Sequence, residues 1–165
     1  MTITPQAWKD SMANTFTQIY IQAVVVVRGR ANLLHKDWRD EVFKYMAGII
    51  KSKGQKPIIV NGVADHVHLF IGLKPNMAVS DLLRDVKNNS SNFINEKKWI
   101  PGKFAWQKGY GAFSYAHSQI NQVYQYILNQ EEHHKKRAFR EEYLEFLEKF
   151  EVPFDEKYLF DWIDD

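Results

Sequence analysis

The first pattern in the chain is an alternation of apolar residues that starts at Thr17. It runs through Ile19, Ile21, Ala23, Val25 and Val27 and stops near Arg28-Gly29-Arg30. A period of two places these side chains on one face of a β-strand. The spacing then lengthens to that of a helix, which starts at an Asp37 cap, carries apolar residues from Trp38 to Ile50 and ends before Gly54 and Pro57.

The remaining elements follow from the same two periods. Residues 57–60 and 65–73 predict two strands, joined by a tight turn at Asn61-Gly62, the dipeptide most typical of a hairpin. A second helix starts at a Ser80 cap, and a short strand covers 112–115. Ser118 caps a third helix that runs to about His133, and residues 139–150 predict a fourth.

The element order β-α-β-β-α-β predicts the fold class. It is the split β-α-β order of a ferredoxin-like α+β fold, a four-stranded antiparallel sheet with helices on one face. We expect the other face to be open as a platform, and the last two helices to be additions to this core. The segments before and after it divide the chain into 1–16, 17–137 and 138–165.

Composition narrows the function classes. The chain has 165 residues and no cysteine, which excludes disulfides, thiolate nucleophiles and cysteine-based metal sites. The longest apolar stretch is Ala23 to Val27, and residues 1–16 lack a signal-peptide pattern, so we expect a cytoplasmic protein with no membrane partner. Residues 1–140 hold 20 basic and 10 acidic side chains, whereas residues 141–165 hold 2 and 10. The basic body suggests a polyanion partner, although charge alone favours the simpler interpretation of the tail as a solvated acidic helix.

The third strand carries the first candidate chemistry. Val67, Leu69 and Ile71 share the core face, so His66 and His68 project together from the opposite face. Two imidazoles in this arrangement can bind one divalent cation. The simpler alternative is a pair of histidines that merely border the sheet.

The predicted third helix carries the second set of candidate catalytic residues. Ile120, Val123, Tyr124, Ile127 and Leu128 form the apolar stripe that predicts its buried face. Tyr126 and Gln130 lie off that stripe, one turn apart on a polar face. A phenol is a weak nucleophile unless it is assisted, and a divalent cation on a phosphate can assist it. Such a set would form a phosphotyrosine bond to a nucleic-acid end.

Three segments together resemble a known family. They are His66-Val67-His68, a match to the HUH motif, Trp106-Gln107-Lys108-Gly109-Tyr110-Gly111-Ala112-Phe113-Ser114, and Tyr126-Ile127-Leu128-Asn129-Gln130 followed by Glu131, His133 and His134. In this order and spacing, they resemble the single-tyrosine HUH transposases of insertion-sequence-200/605-like elements. The similarity extends from about Asn14 to Ile163.

This resemblance implies a mechanism. It assigns Mg²⁺ or Mn²⁺ to His66, His68 and Gln130, and the nucleophile to Tyr126. It implies a 5′-phosphotyrosine intermediate, a free 3′-OH that later reverses the reaction, and single-stranded DNA with hairpin ends as the partner. It also implies a homodimer in which the tyrosine helix commonly completes the other subunit's site in trans.

Basic residues outside these motifs are candidates for DNA contacts. Lys135, Lys136 and Arg137 adjoin His133 and His134, where the alternatives are a phosphate-binding cluster and a solvated helix end. Arg84 and Lys87 lie on the outer face of the second helix and Lys108 lies in the second motif; they are further candidates.

Three other functions stay open on the sequence. One is a domesticated relative with the same chemistry that acts on chromosomal hairpin repeats. Another is a non-catalytic module that binds single strands on its sheet, for which Phe70 is the only supporting feature. A third is a small metallohydrolase, which lacks a recognisable third histidine or carboxylate ligand in the sequence.

Overall fold

A computed structural model describes residues 15–135 and 137–154. The predicted leader up to residue 14, Lys136 and the acidic tail from residue 155 lie outside the described residues. The elements are β1 (Tyr20–Val26), α1 (Arg39–Ser52), β2 (Lys56–Gly62), β3 (His66–Gly72), α2 (Val79–Lys97), β4 (Gly111–Tyr115), α3 (Ile120–Leu128), α4 (Gln130–His134) and α5 (Phe139–Lys149). Short 3₁₀ turns occupy Arg28–Arg30 and His117–Gln119. No helix in these ranges is long and apolar enough to cross a membrane.

The four strands form one antiparallel sheet in the order β2-β3-β1-β4. This is the ferredoxin-like order, so the predicted fold class is confirmed. The two central strands are in register with Val24 opposite His68 and Val26 opposite His66. The histidine strand therefore lies in the interior of the sheet and not at its edge.

One face of the sheet forms the main core beneath α1 and α2. Ala23, Val25 and Val27 of the first strand region pack with Val67 and Leu69 of β3 in this cluster. Their alternation follows the pleat, as the sequence predicts. The helices contribute Met46, Ile50, Leu83, Val86 and Ile94 to the same cluster.

The second face is covered, so the expected open platform is wrong. Val24 and Val26 pack with Phe139, Tyr143 and Leu147 of α5. The side chain of Phe70 packs with Val123 and Ile127 of α3 and is completely buried. The apolar run from Ala23 to Val27 is continuous because this strand is buried on both faces.

The predicted turn at Asn61-Gly62 is also wrong. Both residues belong to β2, where Asn61 pairs with His68 and Gly62 with Val67, and the turn lies at residues 63–65. A glycine is required at position 62 because the backbone of β3 lies very close to it: a Cβ atom there would lie 2.3 Å from the backbone oxygen of His66. The amide of Asn61 is used to hold α3, as described below.

Helix boundaries differ from the sequence expectation in two ways. None of the predicted cap side chains forms a cap bond: α1 begins at Arg39, α2 at Val79 and α3 at Ile120. The predicted third helix is broken at Asn129, whose backbone leaves the helical region with ψ at 24°. This break leaves Leu128 half exposed, against the prediction that it is core, and buries Gln130.

Candidate active site

His66 lies at the start of β3, fully buried on the second face of the sheet. Its Nδ1 atom lies 2.7 Å from Asp65 Oδ1, and its ring stacks on Phe139 at 4.0 Å between centroids. Burial lowers the pKa of His66, and the hydrogen bond that its ring donates to the Asp65 carboxylate opposes this shift. The Nε2 atom is buried without a hydrogen-bond partner among the described residues. A carboxylate on one ring nitrogen and a free lone pair on the other is the arrangement of a metal-binding histidine.

His68 lies beside His66, with 5.2 Å between the ring centroids. Its Nδ1 atom is 2.9 Å from Gln22 Nε2, and Gln22 Oε1 accepts a hydrogen bond from the Tyr115 hydroxyl at 2.8 Å. Three neighbouring strands therefore contribute to the orientation of this ring. The ligand nitrogens of His66 and His68 lie within 4.8 Å of each other.

Two residues that the sequence patterns did not assign to the metal complete a cluster with these histidines. They are His134 at the end of α4 and Glu142 in α5, and the ligand atoms of the four side chains lie within 4.8 Å of one another. Glu142 Oε1 lies 3.0 Å from His68 Nε2, and Oε2 lies 2.6 Å from His134 Nε2. The sequence does contain a signal for Glu142, because it shares the buried stripe of α5 with Phe139 and Tyr143. A carboxylate on an apolar stripe requires a partner.

The charge of Glu142 is set by its neighbours. Burial by itself would raise the pKa of this carboxyl, but the His68 and His134 imidazoles beside it lower the pKa below its ordinary value. The group is therefore a carboxylate although it is almost completely buried. Neither of its oxygens is aligned in a hydrogen bond within the described part of the chain.

Gln130, the third ligand that the family resemblance implies, also lies at the cluster. It is fully buried at the start of α4, and its Oε1 atom accepts a hydrogen bond from His134 Nε2 at 3.0 Å. Its Nε2 atom donates to the backbone oxygen of Tyr126 at 3.3 Å. Gln130 therefore connects the end of the tyrosine helix with the cluster.

Tyr126 lies next to His68, with 5.9 Å between the ring centroids and an interplanar angle of 89°. Its hydroxyl is buried, so the expectation of an exposed polar face is corrected: Tyr126 shares the inner side of α3 with Val123 and Ile127. Burial and the nearby Glu142 carboxylate raise the pKa of the phenol. A cleft of about 170 Å³, lined by residues that include Tyr126, Tyr115, Arg137 and Glu142, opens beside the ring. In this environment the phenol is neutral.

The tyrosine helix is attached to the body of its own chain. Asn61 Nδ2 in β2 donates to the backbone oxygens of Ile127 and Leu128 at 2.9 and 3.1 Å. One turn later, Arg39 Nη2 lies 2.5 Å from Glu131 Oε1. Tyr126 therefore meets the histidines of the same chain.

The other predicted DNA contacts lie apart from the cluster, with one exception. Lys87 Nζ donates to the backbone oxygens of Gln107 and Gly109 at 2.6 and 2.9 Å, and its burial lowers its pKa. Its half-buried ammonium therefore binds the backbone of the loop at residues 107–109. The exposed side chains of Arg84 and Lys135 pair with acidic neighbours on their own helices.

Lys108 and Arg137 are the remaining described candidates. Lys108 is exposed on the loop that Lys87 holds. Arg137 pairs with Glu145 and lines the cleft beside Tyr126, so it is the exception that lies near the cluster.

Comparisons with known proteins place these features in a family. The family model described as "Transposase IS200 like" matches residues 15–130. A crystal structure of a protein from Deinococcus radiodurans R1, assigned as a transposase, is similar with a TM-score of 0.58 and 20% identity over 71% of this chain and 94% of that chain. A REP-associated tyrosine transposase bound to a REP hairpin is similar with a TM-score of 0.56 and 12% identity over 92% of this chain and 90% of that chain. No curated protein matches the chain. Because the family model covers well over half of its residues, the chain belongs to the IS200-like transposase family.

Proposed function

We propose that this protein cleaves and rejoins single-stranded DNA through a 5′-phosphotyrosine intermediate on Tyr126, with the assistance of a divalent metal ion. The observation that carries the proposal is the position of the Tyr126 ring against His68, with its hydroxyl beside a cluster of buried polar atoms that lack hydrogen bonds. A phenol and a set of metal ligands in one buried site are the parts that this chemistry requires.

The proposed step balances as a transesterification. The Tyr126 oxygen forms a bond to phosphorus, the bond from phosphorus to the 3′ oxygen breaks, and the leaving 3′ oxygen takes up a proton. The step needs no net proton, because the proton that the Tyr126 phenol gives up balances the one that the leaving 3′ oxygen takes up. In the reverse step a 3′-OH attacks the phosphotyrosine and releases Tyr126. Energy is conserved because no water takes part.

The cluster fits a divalent ion. His66 Nε2 and His68 Nε2 are buried and lack hydrogen-bond partners in the described ranges, which is costly unless a cation receives their lone pairs. We propose that these two atoms, with Gln130 as the third predicted ligand, hold Mg²⁺ or Mn²⁺. The ion would neutralise phosphate charge and polarise phosphorus.

The proposed partner is single-stranded DNA with hairpin ends. It rests on the basic charge of residues 1–140 and on the similar fold of the REP-associated tyrosine transposase, which is bound to a REP hairpin. A mobile element and a domesticated repeat-associated relative share this chemistry. They differ in substrate: the first acts on hairpins from the flanks of its gene and the second on dispersed chromosomal repeats.

We further propose that the catalytic unit extends past the predicted boundary at residue 137, because Glu142 of α5 lies in the site. Within one chain Tyr126 already lies beside His68, which supports action in cis. The homodimer with an exchanged tyrosine helix stays a prediction. Mixing Tyr126→Phe protein with His66→Asn protein tests it, since only exchange between subunits would restore cleavage.

The test of the function is covalent capture. The protein is incubated with labelled single-stranded hairpins and Mn²⁺ or Mg²⁺, and the products are separated on a denaturing protein gel. We expect a slower band that is lost in Tyr126→Phe and retained in Tyr124→Phe, the matched control two residues away. Chelator should also remove it.

The other outcomes decide between the remaining functions. Tight binding without a covalent band and without metal dependence would support the non-catalytic module, although the complete burial of Phe70 removes the aromatic platform on which that function depended. Cleavage without a covalent band, unchanged in Tyr126→Phe, would support a hydrolase. The structure gives this possibility one supporting observation, since His134 and Glu142 are the third histidine and the carboxylate that no sequence spacing revealed.

A further inference from the structure

We propose that α5 supplies Glu142 as an anionic metal ligand, which with His66, His68 and His134 forms a four-residue site for a transition metal such as Zn²⁺, Mn²⁺ or Co²⁺. The inference rests on the proposed function for the presence of a metal in this cluster. The inferred site differs from the Mg²⁺ or Mn²⁺ site proposed above in its ligands and in the class of metal that it binds.

The first argument is geometric. The four ligand atoms lie within 4.8 Å of one another, on three different elements of the chain. An ion about 2.1 Å from each ligand holds its ligand atoms roughly 3–4 Å apart. The cluster therefore needs only a small contraction, and its elements need no rearrangement.

The second argument is electrostatic. Glu142 is 2% exposed, and a buried carboxylate must be paired. Its oxygens contact His68 and His134 but are not aligned in hydrogen bonds with them, and His66 presents a further unsatisfied nitrogen to the same space. One cation between these groups satisfies the carboxylate and the ring nitrogens together.

The third argument is the donor set. Three imidazoles and one carboxylate form a nitrogen-rich set, which suits Zn²⁺ and other transition metals, whereas Mg²⁺ prefers oxygen ligands and retains several waters. His134 Nε2 lies 3.0 Å from Gln130 Oε1 and 2.6 Å from Glu142 Oε2. An ion bound at this nitrogen would replace both contacts, and a buried carboxylate needs a cation more than a neutral amide does. We therefore assign Glu142, and not Gln130, to the metal.

The outer contacts fit this assignment. Asp65 contacts the far nitrogen of His66, and Gln22 contacts that of His68. Carboxylate and amide partners of this kind fix the rings of metal-bound histidines. His134 and Glu142 lie beyond residues 15–130, which the family model matches, so half of this site comes from the following part of the chain.

The test measures metal binding without DNA. The full chain is stripped with chelator, and Zn²⁺ affinity is measured by competition with a chromogenic chelator, for the wild type, Glu142→Gln and the control Glu141→Gln. Glu141 lies next to Glu142 in α5 but is exposed. We expect Glu142→Gln to weaken Zn²⁺ binding at least about 100-fold, beyond the loss typical of outer partners, and Glu141→Gln to leave it unchanged. Equal affinity of Glu142→Gln and wild type would overturn the proposal, as would tighter binding of Mg²⁺ than of Zn²⁺.

A second measurement on the wild type covers the case in which Glu142→Gln does not fold. Hydrogen exchange is followed by mass spectrometry with and without Zn²⁺. We expect Zn²⁺ to protect the amides of α5 together with those of β3 and α4, because the ion joins these elements. Protection confined to β3 and α4 would overturn the proposal. Failure here is distinct from failure of the proposed function, since Tyr126→Phe should bind Zn²⁺ like the wild type while forming no covalent DNA band.

Discussion

The attachment of the tyrosine helix to β2 gives a prediction that separates local anchoring from general stability. Asn61 Nδ2 donates to two backbone oxygens at the end of α3. Asn61→Asp keeps the size of the side chain but replaces the donor with an oxygen that repels both carbonyls. We expect the variant to lose both hydrogen bonds and to loosen the end of the helix that carries Tyr126.

The magnitude follows from the contacts. Each hydrogen bond contributes about 0.5–1.5 kcal/mol net, so the loss of two costs about 1–3 kcal/mol. An anion at a helix C-terminus costs a further ~0.3–1 kcal/mol. The free energy of unfolding should therefore fall by about 1–4 kcal/mol.

Two assays check this reasoning. Urea denaturation gives the free energy of unfolding, and covalent capture of a DNA hairpin gives the rate at which Tyr126 reacts. Asn89→Asp is the control, because it introduces the same charge at an exposed position of α2. We expect Asn61→Asp to lose stability and to react more slowly at a temperature where it is fully folded.

Two results would refute this account. If Asn61→Asp and Asn89→Asp are equally stable, the two hydrogen bonds do not hold α3. If Asn61→Asp is destabilised but reacts at the wild-type rate when folded, the attachment to β2 does not position Tyr126. A partner subunit's helix would then be the better candidate for the nucleophile.

Three further predictions concern other parts of the molecule. Gly62→Ala places a Cβ atom against the backbone of β3, so we expect the free energy of unfolding from urea denaturation to fall by about 3 kcal/mol or more. The control Gly48→Ala lies in open space on α1 and should raise it by ~0.5–1 kcal/mol. Burial raises the pKa of Tyr143 to about 12, so the neutral phenol contributes its full stability below pH ~10 and loses it as the pH rises through the folded value. In urea denaturation series above pH ~10, the free energy of unfolding should therefore fall less in Tyr143→Phe than in wild type. Equal falls in the two proteins would contradict the assignment. Lys87→Met should lower stability by about 1–2 kcal/mol and leave the salt dependence of DNA binding unchanged, while Lys108→Ala should reduce that slope by about 1 if Lys108 contacts a phosphate. A reduced slope in Lys87→Met and an unchanged slope in Lys108→Ala would instead indicate that Lys87 contacts the DNA.

Local patterns in the sequence predict the sheet because its elements are regular. The alternation in β1 and the helical spacing in α1 and α2 are each set by the face that an element buries. His66 and His68 could be placed on one face of β3 by the same rule. The three motifs of the family resemblance added Gln130 and Tyr126, and the structure brings all four residues together.

The errors arise where distant segments meet. The pattern in β1 cannot show that α5 covers the second face, because the same residues fit a strand buried on one side or on both. Asn61-Gly62 is typical of a turn, but the dipeptide here serves a contact with α3 and a close approach to β3. Glu142 is 74 residues from His68 in the chain, and no local spacing relates them.

Gln22 controls which nitrogen of His68 carries the ring proton. Its amide nitrogen lies 2.9 Å from Nδ1, and with that nitrogen as the donor a neutral ring would hold its proton on Nε2, the atom that faces the cluster. A metal requires the other tautomer, with the proton on Nδ1. Turning the amide end for end presents its oxygen to Nδ1 and its NH₂ group to the Tyr115 hydroxyl, which can act as donor or acceptor. The strand order β3-β1-β4 thus places a tautomer selector behind the metal ligand, and one amide rotation converts His68 from a proton donor into a metal ligand.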